Sequence, residues 1–244
     1  MGSPKFNTKI LTGSWCVNSL ELLSRLTHVS KKTADSHLEE NEKNWAEYKD
    51  KSGIRYIERQ HDLTMLKYGS YRKTFQKMFM GEKPFVAAYN SCEVISVYNA
   101  LENLGIKNEE TTFPKLLNYF EKNASILKGY FGTSFTGIIR YFKKNGYDYI
   151  SFMGRKITRE NLDLVEKNYE TYIFMSYNNT ENIADMIHTM SITKEEQGFF
   201  IHNSYCKTTC YDTLYDAVVK YNLDNGFTSR PIIVMGINKP ETKD

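Results

Sequence analysis

The chain has 244 residues, 41% of them apolar and 14% aromatic, enough to bury a sizeable core as one large domain or as a domain with an extension. Lys and Arg exceed Asp and Glu by only 32 − 29 = 3, so no strong field argues for a nucleic acid or an anionic membrane as partner. No run approaches the roughly 20 continuous apolar residues of a membrane span, and Met1 to Ser14 lacks the apolar centre of a secretory signal, so the expected address is cytoplasmic.

In chain order, residues 16 to 80 read as a helical extension, with residues 1–83 set apart as its domain. The charged segment Lys31 to Asp62 carries Leu38, Trp45, Tyr48, Ile54 and Tyr56 as sparse apolar anchors, and Gly53 divides it into two helices. Residues 84–244 form the second unit, in which short helices alternate with apolar runs of strand length. Val94, Tyr98, Leu101 and Leu104 recur at helical spacing after Cys92, with Asn90 or Ser91 as the N-cap and Gly105 as the stop. A second helix starts near Thr112 with Pro114 in its first turn, and a third follows Gly132-Thr133-Ser134 and ends before Gly146. Strands are expected at Tyr147 to Phe152, Tyr172 to Ser176, Met186 to Thr193, Phe199 to Asn203 and Pro231 to Met235. The polar, Gly-terminated run Thr193 to Gly198 makes a hairpin of the third and fourth. Asp212 caps a helix through Tyr221.

Four cysteines are too few for a disulfide scaffold, so reduced thiols are expected. A buried cysteine usually acts as a small hydrophobe. Cys92 departs from that pattern because the first turn of a helix stabilises a thiolate and because Asn90, Ser91 and Glu93 surround it with polar groups. The predicted hairpin brings His188 near Asn203, a residue suited to orienting an imidazole, whereas His202 has no equally placed partner in the sequence. Gly132-Thr133-Ser134 reads as a capped turn and not as a phosphate loop, since no Gly-rich, Lys-bearing loop accompanies it. His202, Cys206 and Cys210 lack the tight pairing of a structural zinc site, and no metal is expected. The tyrosines are dispersed and do not interleave with basic residues as in single-strand binders.

The order Cys, His, Asn is that of papain-type cysteine hydrolases. Asn90-Ser91-Cys92-Glu93-Val94-Ile95-Ser96, the helix to Leu104-Gly105, Gly132-Thr133-Ser134 before Arg140-Tyr141-Phe142, Ile187-His188-Thr189 and Ile201-His202-Asn203-Ser204-Tyr205 carry the resemblance. Residues 84 to 237 thereby resemble the bacteriocin-processing (double-glycine leader) peptidase-like branch of the papain-like cysteine peptidases. The resemblance implies an α+β papain-like fold, with a helical lobe carrying the nucleophile and an antiparallel sheet carrying His and Asn. It implies Cys92 as nucleophile, His188 as general base and then acid, and Asn203 as orienter, with Gly132 and Thr133 close to the substrate cleft.

The chain departs from that pattern at one point. Pro84 to Tyr89 contains no Gln to serve as an oxyanion donor, and the nearest upstream Gln is Gln76. The backbone N–H of Cys92 with the Asn90 side chain is the candidate replacement; an unreplaced donor typically costs roughly 100- to 1,000-fold in rate. The expected activity is hydrolysis of a peptide or amide bond through an acyl-enzyme, without a cofactor, on a peptide or acyl-bearing small molecule. Two alternatives stand beside it: transfer of the acyl group to an amine, as in acyltransferases of bacterial natural-product pathways, and a catalytically silent protein that binds a peptide or partner in the same cleft.

Overall fold

The computed structural model describes residues 14–70, 85–177, 187–206, 209–224 and 231–240. Gln76, the 83/84 boundary and Met186 lie outside the described residues. The chain is α+β. Helices α1 (Ser14–Thr27) and α2 (Lys31–Ser52) come first, followed by a short α3 (Ala87–Asn90), α4 (Cys92–Asn103), α5 (Phe113–Asn123) and α6 (Phe135–Lys144). Strand β1 (Tyr147–Met153) leads to α7 (Arg159–Asn168), β2 (Thr171–Tyr177), β3 (Ile187–Glu195), β4 (Gly198–His202) and β5 (Cys210–Tyr211). Helical turns over 214–224, π-helical at Asp216–Lys220 and closing in α8 (Tyr221–Asp224), precede β6 (Ile233–Pro240).

The six strands form one sheet in the order β1-β6-β2-β3-β4-β5, with every pair antiparallel. Alternation of side chains splits β1, β6 and β2 between two cores. Ile173, Met175, Ile233, Met235 and Ile237 face a cluster with α4, α5 and α6. Tyr172, Phe174, Met190, Ile192, Ile201 and Val234 face a second cluster with Leu162 and Val165 of α7 and Leu214, Ala217, Val218 and Tyr221. The sheet is thus a middle layer covered by helices on both sides.

The expected helices after Cys92, near Thr112 and after Ser134 are present, with Ser91, Thr112 and Ser134 at their N-caps. The last helix differs at its start. Thr213, not Asp212, caps it, its Oγ1 accepting from the Asp216 N–H at 3.1 Å.

The N-terminal region departs from the sequence reading more. Gly53 does end α2, but no α-helix follows it up to Ser70; the chain runs irregularly with one 3₁₀ turn at Gln60–Asp62. A buried segment without regular structure must find partners for its backbone groups elsewhere. Asparagine side chains supply them in pairs. Asn41 donates to the Lys67 carbonyl at 2.9 Å and accepts from the Lys67 N–H at 2.7 Å. Asn99 on α4 accepts from the Ile57 N–H at 2.8 Å and donates to its carbonyl at 3.0 Å. Between these clamps Ile57, Leu63, Leu66 and Tyr68 enter the same cluster as α4, joined by Trp45 of α2. The N-terminal region and the helix of Cys92 therefore share one core.

Candidate functional site

Cys92 occupies the first turn of α4 and is 9% exposed. The Ser91 hydroxyl, instead of capping, donates to the Ala87 carbonyl at 2.7 Å, which locks the turn that leads into the helix. The thiol faces the Thr189 N–H of β3 and the Glu93 carboxyl. Burial pushes the thiol well above its ordinary pKa, the neighbouring Glu93 adds to that, and the Thr189 N–H works against it. Cys92 rests as a neutral thiol.

Glu93 is 4% exposed, and burial pushes its carboxyl up to about 7. Its Oε2 accepts from the Thr133 N–H at 3.3 Å, and the Thr133 hydroxyl is bonded to that of buried Tyr68. Gly132 stands beside them with φ +66, where an added Cβ would lie 3.0 Å from Glu93 Oε2 and 3.4 Å from the Asn90 carbonyl oxygen. Glycine at 132 is thus required both by the left-handed backbone and by space. The N–H and the hydroxyl of Thr133 are thus both committed inside the protein, and Asn90 is the last residue of α3, half-buried beside this turn.

His188 is buried on β3. Strand parity places it with Met190 and Ile192, whereas Thr189 falls with Ser191 and Thr193 on the side of α4. Its Nε2 lies 2.6 Å from the main-chain carbonyl oxygen of Asn203. A carbonyl only accepts, so Nε2 carries the proton and the lone pair of the neutral ring is on Nδ1. The Tyr205 ring covers the imidazole at 4.5 Å between centroids, and His61 stacks on Tyr205 at 5.2 Å. Burial lowers the His188 pKa to about 4, partly opposed by the Asn203 bond and reinforced slightly by His61. Among the described residues no hydrogen bond joins Cys92 Sγ to the imidazole.

The hairpin thus brings His188 and Asn203 together, as the sequence led us to expect, but the orienting atom is the main-chain oxygen of Asn203. The side chain is turned away to Gln60: Oδ1 accepts from the Gln60 N–H at 2.9 Å, and Nδ2 donates to Gln60 Oε1 at 3.4 Å. Asn203 sits at φ +59, a left-handed conformation that Asn tolerates better than most side chains.

The expectation that His202 lacks a partner is overturned. Its Nδ1 lies 2.6 Å from Glu58 Oε1, its Nε2 lies 2.9 Å from Thr193 Oγ1, and the Tyr56 ring packs on it at 4.3 Å. Glu58 and Gln60 were missed because they stand in a charged run read as a second helix after Gly53, where the structure has an irregular chain. The one usable signal was negative: a polar stretch bearing Tyr56 and Ile57 without a continuous periodic pattern. Cys206 and Cys210 are free thiols with separate neighbours, the Tyr221 hydroxyl at 3.3 Å and the Gln197 carbonyl at 3.7 Å. Among the described residues no helix is long and apolar enough to cross a membrane. Comparisons of the chain with protein-family models, with curated proteins and with solved structures found no match.

Proposed function

We propose that the protein is a papain-like cysteine hydrolase that cleaves a peptide or amide bond, with Cys92 as nucleophile and His188 as its base. The observation that carries this reading is the bond from His188 Nε2 to the Asn203 carbonyl, because it fixes the tautomer whose Nδ1 can accept a proton. A nucleophile in the first turn of α4, its thiol facing the Thr189 N–H next to His188 in the chain, supplies the other half, and the chemistry requires the imidazole to reach it from the other face of β3. The chemical sequence is then that of thiol acyl transfer. His188 Nδ1 takes the thiol proton as Sγ attacks the carbonyl carbon, and the imidazolium returns that proton to the leaving amine as the C–N bond breaks. Water, deprotonated by the same ring, releases the acid and restores the thiol. The main-chain N–H of Cys92 at the helix start is the candidate donor for the oxyanion.

A second reading has its own support. Burial holds thiol and imidazole in their neutral forms with no hydrogen bond between them, which suits a catalytically silent cleft that binds a peptide or partner. One experiment separates the two. The rate of Cys92 alkylation by iodoacetamide is followed against pH, with the site read by peptide mass mapping, in the native protein and in His188→Ala. Hydrolase chemistry requires that His188→Ala slow the reaction by on the order of 100-fold near pH 7. A slow reaction indifferent to His188 establishes the silent cleft.

A further inference from the structure

We infer that Gln60, from the N-terminal region outside the peptidase resemblance, is a positioning residue that sets the His188 imidazole through Asn203. The inference rests on the thiol chemistry proposed above.

The imidazole is oriented by a main-chain carbonyl, and a carbonyl points where its backbone dihedrals aim it. At Asn203 those dihedrals are left-handed, with φ +59, and the residue lies just past the end of β4, so no ladder holds it there. What holds it is the pair of hydrogen bonds from its side-chain amide to Gln60, main-chain N–H to Oδ1 and Nδ2 to Oε1. Gln60 is 2% exposed and Asn203 is 1% exposed, so neither bond is exchanged with solvent. A buried amide pair of this kind costs more to leave unmade than it gains when made, which is how it fixes one geometry.

Gln60 is itself fixed from two directions. Three residues earlier, Asn99 of the Cys92 helix brackets both main-chain groups of Ile57. Between them Glu58 reaches His202 on β4. One residue later, His61 stacks on the Tyr205 ring that covers His188. The strap from Tyr56 to His61 thus spans the nucleophile's helix and the strand end that aims the base. Its placement of one carbonyl oxygen is what Gln60 contributes.

The test uses the full chain and two readouts. The first is long-range ¹⁵N–¹H NMR of the His188 ring, which reports which nitrogen carries the proton. The second is the pH profile of Cys92 alkylation. In the native protein a single Nε2–H tautomer is expected. Gln60→Leu should give mixed tautomers and slow alkylation by on the order of 10- to 100-fold at pH 7.5, as expected for a misaimed catalytic group. Asn203→Gly keeps the carbonyl and tolerates φ +59 but has no amide for Gln60 to hold, so it should give the same loss, and the double variant should lose no more than either single. Retention of the single tautomer with an unchanged pH profile in Gln60→Leu overturns the inference, as do losses that multiply in the double variant. Should Gln60→Leu fail to fold, Asn203→Gly decides alone by the same tautomer criterion. If native alkylation proves indifferent to His188, the hydrolase reading falls while the NMR readout still decides the role of Gln60.

Discussion

His188 and His202 are both buried imidazoles on neighbouring strands, and they are held in opposite ways. His202 has each ring nitrogen engaged by a side chain, Glu58 on one side and Thr193 on the other, with Tyr56 against its face. His188 has one nitrogen on a main-chain oxygen and no hydrogen bond to the other among the described residues. His202 thus has both ring nitrogens engaged by side chains within the fold. A ring with one lone pair left can exchange a proton, and the neutral tautomer of His188 keeps that lone pair on Nδ1.

The sharpest way to break this contrast is to remove each ring and follow Cys92. His188→Ala should slow alkylation by on the order of 100-fold or more, whereas folded His202→Ala should stay within about threefold of the native rate. Equal losses in both would abolish the distinction.

Stability against pH separates the groups next. His188 is lowered from its ordinary 6.5 to about 4, so its contribution is present above pH 6.5 and is lost as pH falls towards 4. Glu93 is raised from 4.5 to about 7, so its contribution is present below pH 4.5 and is lost as pH rises through 7. Each amounts to roughly 3 kcal/mol, and the two slopes oppose one another across the same window. Urea unfolding of Glu93→Gln should therefore show stability climbing from pH 4 to 6.5, and that of His188→Gln should show it declining from pH 4.5 to 7. A flat curve in either variant would remove the burial that the pairing depends on.

His202→Ala should lower the unfolding free energy by about 2 kcal/mol, since it strips the buried Thr193 hydroxyl of its imidazole partner and leaves a cavity under Tyr56. Urea midpoints that do not move would show that His202 braces nothing. The smallest effect expected is at Tyr205. Its removal opens the His188 ring to water, so Tyr205→Ala should raise the His188 pKa by about one unit in an NMR titration. An unchanged titration would mean that the ring is buried by something other than this cover.

The same contrast marks what the sequence could and could not disclose. Helices and strands from Cys92 onward are legible because Val94, Tyr98 and Leu101 face one core and Met190 and Ile192, in the alternation through Ile187 to Thr193, face the other, so each set repeats with the period of its element. The pairing of His188 with Asn203 follows from the hairpin at Glu195–Gly198, a local feature. The strap is illegible for the converse reason. Its backbone is satisfied by Asn99 and Asn203, amides far away in the chain, and an interaction of that kind leaves no periodicity in the segment that receives it. Nor could spacing reveal that Asn203 would offer its main-chain oxygen to the ring and its side chain to Gln60. Both atoms belong to one residue, and only a backbone dihedral decides between them.

The bond between Gln60 and Asn203 closes a span of 143 residues, and that between Glu58 and His202 closes 144. Closure over such separations adds little to the equilibrium cost, since each doubling of loop length costs only about 0.6 kcal/mol, but it comes late in time. A chain emerging from the ribosome exposes Cys92 long before it has made His188, and has His188 before Asn203 exists to turn the ring. Under the proposed hydrolase chemistry, synthesis in order from the N-terminus therefore delivers the thiol first and its aimed base last.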